Sequence, residues 1–361
     1  MKNNNNQIKI LHIIPKFSYD GASISAFRLA LILNRFDNTI LAAKKGIACD
    51  EINKYRLEIK YLDNRSKSGV FNKTLIYLKF ISYLIRNEFQ IIQYHQGGLF
   101  FLLLSVFFAK KAKVGFYIHS SILSGDNYAS RPTLKHILLL KLIDRKIIKL
   151  ASSESALKTY LNIFPKTKNL YLIKNSYAGK YRKKGKLNYE IGYLGRICAE
   201  KGLTDYFDVI KNKKINFDIS FSAKGDIYEN IQSELNLIIS ELKIFSPSFD
   251  IGSYLNNIDL LIFPSQIISE TLPLVLIEAV FYDVGVICYS TEANRNVLGD
   301  YPLICTENNP ESIVELVNKY YEDEKLRELV SEYNYQLTKK IKSENQYSKI
   351  VNLYAEILKA D

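Results

Sequence analysis

The sequence predicts an α/β protein with parallel sheets, folded as two domains. Short apolar runs of strand length alternate with helix-length segments along most of the chain. That is the pattern of β-α-β units, whose strands lie parallel beneath covering helices. At 361 residues the chain is too long for one ordinary core and suits two. Ala178 to Lys186 (AGKYRKKGK) is polar, basic and holds two glycines, the composition of an interdomain linker.

Taken in order, Ile8 to Ile14 reads as a strand that ends at Pro15, before the loop FSYDGAS and a helix from about Ser23 to Asn34. Gly21 in that loop serves a turn. Further strands are predicted near Thr39 to Ala43, Ile59 to Leu62, Ile91 to Tyr94 and Val114 to Ile118. Phe71 to Arg86 places Phe71, Leu75, Leu78 and Ser82 on one helical stripe, with Lys73, Lys79 and Arg86 elsewhere. Pro132 to Lys149 also reads as a helix, mixing Leu and Ile with Lys135, His136, Lys141, Arg145, Lys146 and Lys149. His119 follows directly on the Val114 strand, and a residue at the end of a parallel strand faces the crevice where ligands bind. His12, His95 and His136 have no partners at metal-ligand spacing and read as structural or exposed.

The second half opens with Ile191 to Leu194, then Gly195-Arg196, with Lys201-Gly202 at the start of a helix. Phe217 to Phe221 is the next strand and runs into Ser222-Ala223-Lys224-Gly225-Asp226. Asp259 to Ser290 (DLLIFPSQIISETLPLVLIEAVFYDVGVICYS) then reads as strand, loop, helix, strand. Glu270 falls in the loop, Pro273 suits the first helical position, and Glu278 lies about one and a half turns further in. A carboxylate at each edge of a helix N-terminus suits a phosphate flanked by hydroxyl-bearing groups. Pro310 to Lys342 is helical, and Asn345 to Lys359 is an amphipathic helix.

Composition narrows the class. The hydrophobic fraction of 47% and charged fraction of 24% are those of a soluble globular protein. Cys49, Cys198, Cys288 and Cys305 are scattered, which indicates neither a zinc site nor a disulfide framework and fits a reduced cytosol. MKNNNNQ lacks the apolar core of a signal peptide, and the longest uncharged apolar run, Leu99 to Ala109, is too short for a membrane span. Met1 to Leu187 carries 33 basic and 10 acidic residues, whereas Asn188 to Asp361 carries 16 and 27. The basic half is expected to face something anionic, and a membrane surface fits best. Nucleic acid is disfavoured, because zinc-finger spacing, RNA-recognition signatures and basic helices with heptads are missing from the sequence. The basic amphipathic segments 71–86 and 132–149 are the candidates to rest on an anionic bilayer.

Glu270, seven residues, then Glu278, preceded by Phe263-Pro264-Ser265 and followed by Ala279, resembles the signature of retaining glycosyltransferases of family four. Gly195-Arg196, four residues, then Lys201-Gly202 resembles that family's diphosphate motif. The resemblance implies the GT-B architecture, two facing Rossmann-like domains with parallel sheets and a C-terminal helix crossing back to the first. It implies an acceptor-binding domain over residues 1–180, a nucleotide-sugar domain over 181–342, and the returning helix over 343–361. By position, Glu270 and His119 would touch the donor sugar, Glu278 the ribose, and Arg196 and Lys201 the diphosphate. Gly21, Ala22, Gly195, Gly225, Thr271, Leu272 and Leu274 would approach the donor through their backbones. The chain departs from the family at Thr271, Leu272 and Pro273, where glycines are usual, at Ala22, and at Asp283-Val284-Gly285 in place of Gly-x-Pro.

The function expected is a retaining transferase that needs neither metal nor cofactor. It would move sugar from a nucleotide-diphosphate sugar, a UDP-sugar by expectation, to a lipid-linked, lipopolysaccharide or capsule acceptor. It would work as a peripheral protein on the cytoplasmic face of the plasma membrane. A nucleotide-sugar epimerase of the same fold and a non-catalytic nucleotide-sugar-binding subunit are the alternatives.

Overall fold

A computed structural model describes residues 8–17, 20–44, 55, 57–63, 70–95, 99–109, 111–119, 134–175, 177, 179–195, 201–211, 218–222, 243–245, 251–266 and 272–359. The chain divides into two units, Met1–Asn175 with Asn345–Asp361, and Ser176–Glu344.

The first unit contains β1 (Lys9–Lys16), α1 (Gly21–Ile32), β2 (Asp37–Lys44), β3 (Glu58–Asp63), α2 (Val70–Arg86) and β4 (Ile91–His95). It continues with α3 (Leu99–Phe108), β5 (Lys113–Ile118), α4 (Leu134–Ile143), β6 (Ile148–Ala151), α5 (Glu154–Ile163) and β7 (Leu170–Leu172). Among the described residues the strands pair in the order β3-β2-β1-β4-β5-β6-β7, every pair parallel. The apolar runs are long enough to bury both faces of this sheet. Leu11, Ile13, Ile92, Tyr94 and Phe116 pack on one side with Ile76, Phe80 and Leu84 of α2 and Leu102 of α3. Ile10, Ile91, Tyr117 and Leu150 pack on the other with Leu29 of α1 and Leu33 just after it. The last helix, here α12 (Gln346–Lys359), joins that second face through Ile350, Leu353 and Tyr354. The Tyr354 hydroxyl donates to Gln93 Oε1 at 2.8 Å. Gly115, the strand partner of Gln93, leaves room for that amide, since a Cβ there would collide with it.

One expectation fails in this unit. The segment 132–149 is not one helix: α4 ends at Ile143, a 3-10 turn spans Asp144–Lys146, and β6 begins at Ile148. Lys149 is therefore a strand residue, fully buried, and not part of a basic outer face. Its ammonium donates to the carbonyl oxygens of Asp144 (2.6 Å) and Ile147 (3.1 Å) and lies 3.4 Å from Asp144 Oδ1. Burial pulls its pKa below the usual lysine value. In α2, Leu75 and Leu78 of the predicted stripe are exposed, as is Ile85, while Ile76, Phe80 and Leu84 face the core.

The second unit contains β8 (Glu190–Leu194), α6 (Leu203–Lys211), β9 (Asp218–Ser222), β10 (Lys243–Phe245), α7 (Gly252–Leu255) and β11 (Leu260–Phe263). After these come α8 (Leu274–Phe281), β12 (Gly285–Cys288), α9 (Glu292–Leu298), α10 (Pro310–Glu322) and α11 (Glu324–Ser343). The described strands pair as β10-β9-β8-β11-β12, all parallel. The helical region from Pro310 holds two helices, because the Asp323 carboxylate accepts the Leu326 N–H at 3.1 Å and starts α11.

The stretch expected to be a free linker is strapped to this unit. Arg182 N donates to Phe281 O at 2.9 Å, and Lys184 N donates to Asp283 Oδ2 at 3.0 Å. The Lys184 ammonium meets Asp259 Oδ1 at 3.1 Å and donates to the Ile258 carbonyl. The fully buried Asp259 also accepts the N–H groups of Asn188 (2.9 Å) and Glu190 (3.1 Å). Asp283 explains the missing glycine after α8. Its φ of +55° is one that glycine usually supplies. Here a carboxylate holds it, accepting from Lys184 N, Ser331 Oγ (2.8 Å) and Asn334 Nδ2 (3.2 Å). Asp283→Gly should therefore lower the unfolding free energy by about 2 kcal/mol, the scale of charge-assisted hydrogen bonds, despite relieving the backbone. Chemical denaturation tests this, and an unchanged or higher midpoint would contradict it.

Candidate active site

In an open parallel sheet the ligand crevice lies beyond the carboxyl ends of the strands, where successive connections leave in opposite directions. In the second unit that point is between β8 and β11, since β8 pairs with β9 on one side and β11 on the other. Both predicted motifs lead out of it. Gly195 follows β8, and Lys201 immediately precedes Gly202 and α6. Gly202 has φ +72°, and a Cβ on it would collide with the carbonyl oxygen of Pro264, the residue after β11. Only glycine permits that contact. It brings the two motifs together, and the Lys201 ammonium lies 5.3 Å from the centre of the Phe263 ring.

Helix α8 begins at the same end of β11 and β12. Its N-cap is Pro273, not the first helical residue, with ψ 111° and no side-chain cap. Among the described residues, the N-cap Pro273 offers no side-chain acceptor to the first-turn N–H groups of α8, and such groups attract anions. Leu272 and Leu274 flank Pro273 and are half-buried. Glu278 sits one turn into α8 and is buried. Opposite, the Tyr289 hydroxyl donates to Asp205 Oδ2 at 2.6 Å, fastening the first turn of α6 to the end of β12. Arg196, Gly225, Glu270 and Thr271 lie outside the described residues.

In the first unit, Gly21 and Ala22 are the first two residues of α1, so Gly21 is helical and a side chain there would meet open space. The helix N-terminus already carries a carboxylate, because Asp20 caps it and accepts the Ser23 N–H at 2.9 Å. His119 lies at the end of β5, as the sequence predicts, but it does not act alone. Its Nε2 is 3.0 Å from His95 Nδ1, His95 Nε2 is 3.1 Å from His12 Nδ1, and His12 Nε2 is 3.1 Å from Asn38 Oδ1. The chain crosses β5, β4, β1 and β2. His12 and His95 look isolated in the sequence because their partners are 24 to 83 residues away. Burial lowers all three imidazoles: His12 to about 4, His119 to about 3, and His95 well below the usual value, with His119 and His12 adding to its shift. They are neutral at physiological pH.

Residues 178–337 match the family model described as glycosyl transferases group 1. No curated protein matches the chain. Among solved structures, HepE of Anabaena in complex with UDP and glucose is similar over 96% of this chain and 99% of its own, with TM-score 0.77 and 13% identity. Sucrose-phosphate synthase of Thermosynechococcus elongatus is similar over 98% of this chain and 100% of its own, with TM-score 0.73 and 13% identity. The pneumococcal O-GlcNAc transferase GtfA, in complex with UDP and GlcNAc, has TM-score 0.74 and 9% identity, covering 98% of this chain and 100% of that one. The fold is that of the GT-B glycosyltransferases. The matched domain and the shared fold together indicate a glycosyltransferase.

The histidine chain makes stability pH-dependent with a definite sign. Unfolded, His12 binds a proton below about 6.5, and folded it does so only below about 4, so between these values the unfolded state holds more protons. Stability contributed by this group is complete above the upper value and is lost as pH falls, at about 1.4 kcal/mol per pH unit. Denaturant melts across this window should show a slope that shrinks by about that amount in His12→Gln, and an identical slope in the two proteins would contradict the assignment.

Proposed function

We propose that the protein is a retaining, metal-independent glycosyltransferase, transferring sugar from a UDP-sugar to a lipid-linked, lipopolysaccharide or capsule glycan acceptor. The observation that carries this reading is the Gly202–Pro264 contact, which sets Lys201 beside the end of β11, from which the Glu270 to Glu278 motif departs. Complexes of HepE with UDP and of GtfA with UDP and GlcNAc support a uridine nucleotide as the donor's carrier.

When the bond between sugar C1 and the phosphate oxygen breaks, its electron pair stays on the diphosphate. Fixed positive groups aimed at that oxygen stabilise the transition state. Lys201, Arg196 and the first-turn amides of α8 take this role, with Leu274 supplying an N–H where Pro273 has none. Lys201 and Arg196 supply the charge that a divalent ion would otherwise bring. Glu278 holds the ribose hydroxyls, and Glu270 and His119 orient the sugar. The acceptor oxygen then bonds C1 on the face the leaving group vacates, passing its proton to the departing phosphate, which retains the configuration. Lys201→Ala should cut release of UDP from its sugar donor about 100- to 1000-fold, or roughly 2.7–4 kcal/mol of barrier. Acceptor-dependent release of UDP is the measurement. Free epimerised sugar would favour the epimerase, and donor binding with no turnover the binding subunit.

The first unit provides the acceptor side and rests on the cytoplasmic face of an anionic membrane. Leu134, Leu138 and Leu142 of α4, spaced four residues apart, are 72%, 56% and 62% exposed. Leu78 and Ile85 of α2 and Phe107 of α3 are exposed as well. Lys73, Lys79, Arg86, Lys135 and Lys141 are exposed on the same helices, and the Lys146 ammonium lies 5.4 Å over the Phe107 ring. Among the described residues no helix is long and apolar enough to cross a membrane, so this patch would sit in the headgroup layer. Replacing Leu134, Leu138 and Leu142 with Ser should abolish sedimentation with anionic vesicles and leave donor binding unchanged. Equal sedimentation with neutral and anionic vesicles at low salt would overturn the membrane assignment.

A further inference from the structure

Asn38 lies at the start of β2, and the three histidines separate it from the sugar-orienting position assigned to His119. We propose that Asn38 is a positioning residue that, acting through His12 and His95, determines which nitrogen of His119 carries its proton. Asn38 Nδ2 donates to two main-chain carbonyl oxygens, those of Leu33 at 2.7 Å and Phe36 at 2.9 Å. Two carbonyls can only accept, so the amide orientation is settled and Oδ1 is the atom facing His12.

From there each step follows. His12 Nε2 must donate to Oδ1, and a neutral imidazole has a single N–H, so His12 Nδ1 bears a lone pair. His95 Nε2 therefore donates to His12 Nδ1, which leaves His95 Nδ1 to accept. His119 Nε2 donates to it in turn. All three rings are Nε2–H tautomers, and His119 Nδ1 is an acceptor. The neutrality this requires comes from burial, which disfavours imidazolium at every position in the chain. Packing holds the outer ring: His119 stacks on Tyr117 with centroids 4.5 Å apart and lies within 15° of parallel to His95. A hydroxyl can donate to such a nitrogen and a carboxylate cannot. The tautomer assignment stands on the hydrogen-bond geometry and the burial of the rings, whereas its catalytic consequence rests on the donor role proposed above for His119.

The test is 15N NMR of the histidine side chains in the full-length protein near neutral pH, where protonated and bare ring nitrogens resonate far apart. The expected result is a hydrogen on Nε2 and none on Nδ1 for His12, His95 and His119. In Asn38→Asp, the carboxylate draws a second proton onto His12, whose Nδ1–H then donates to His95. The pattern should reverse along the chain, with His119 carrying its hydrogen on Nδ1. A wild-type His119 protonated on Nδ1, or a pattern unchanged by the substitution, would overturn the proposal. Turnover gives a second readout. Asn38→Asp should lower kcat about 10-fold or more with little change in acceptor KM. It should cost nothing further when added to His119→Ala, and an additive loss in the double variant would show that Asn38 does not act through His119. A protein with the expected tautomers but no transferase activity would refute the function proposed above and leave the positioning intact.

Discussion

The contact between Gly202 and the Pro264 carbonyl is the constraint on which the second unit depends. A left-handed backbone and the lack of a Cβ let the chain after β8 press against the chain after β11. Without that approach Lys201 would swing away from Phe263, and the cation would lose its fixed place at the reversal of strand order. The transfer proposed above needs fixed charge. A donor that must reorganise as the diphosphate leaves returns little of its interaction energy to the barrier.

Both units hold their sheets through buried polar anchors as well as apolar packing. A parallel sheet covered on two faces leaves no water for polar groups, so each must find partners inside. Asp259 takes two backbone N–H groups and Lys184, Asp283 takes a left-handed turn and three donors, and Lys149 is enclosed by Asp144 and two carbonyls. These are expensive to break and geometrically exacting. The strap from Arg182 to Glu190 is held in this way, although its composition alone resembles a tether. The Asn38 to His119 chain is the corresponding device in the first unit, with uncharged members.

Most strands were legible from sequence to within one or two residues, because apolar runs such as Ile91 to Tyr94 and Leu260 to Phe263 are bounded by polar loops; β6 was hidden in an expected helix by Lys149, and β7 and β10 are too short to show a pattern. Lys201-Gly202 and Phe263-Pro264 were legible as motifs, while their junction was not, since it is made by a carbonyl and an absent side chain. The histidine chain escaped notice for another reason: spacing rules look for neighbours along the chain, and these residues meet across four strands. Lys149 and Asp323 show a third limit. One charged residue in a mixed segment reads equally as a solvated face, a buried anchor or a cap, and only its partners decide.

In the proposed reaction the second unit grips the diphosphate of a nucleotide sugar at the ends of β8 and β11. A crystal structure of the protein with UDP tests this most directly. The diphosphate should lie within hydrogen-bonding distance of the Lys201 ammonium and the first turn of α8, with the ribose hydroxyls on Glu278. A nucleotide bound elsewhere, with Lys201 and Glu278 touching neither phosphate nor ribose, would contradict it.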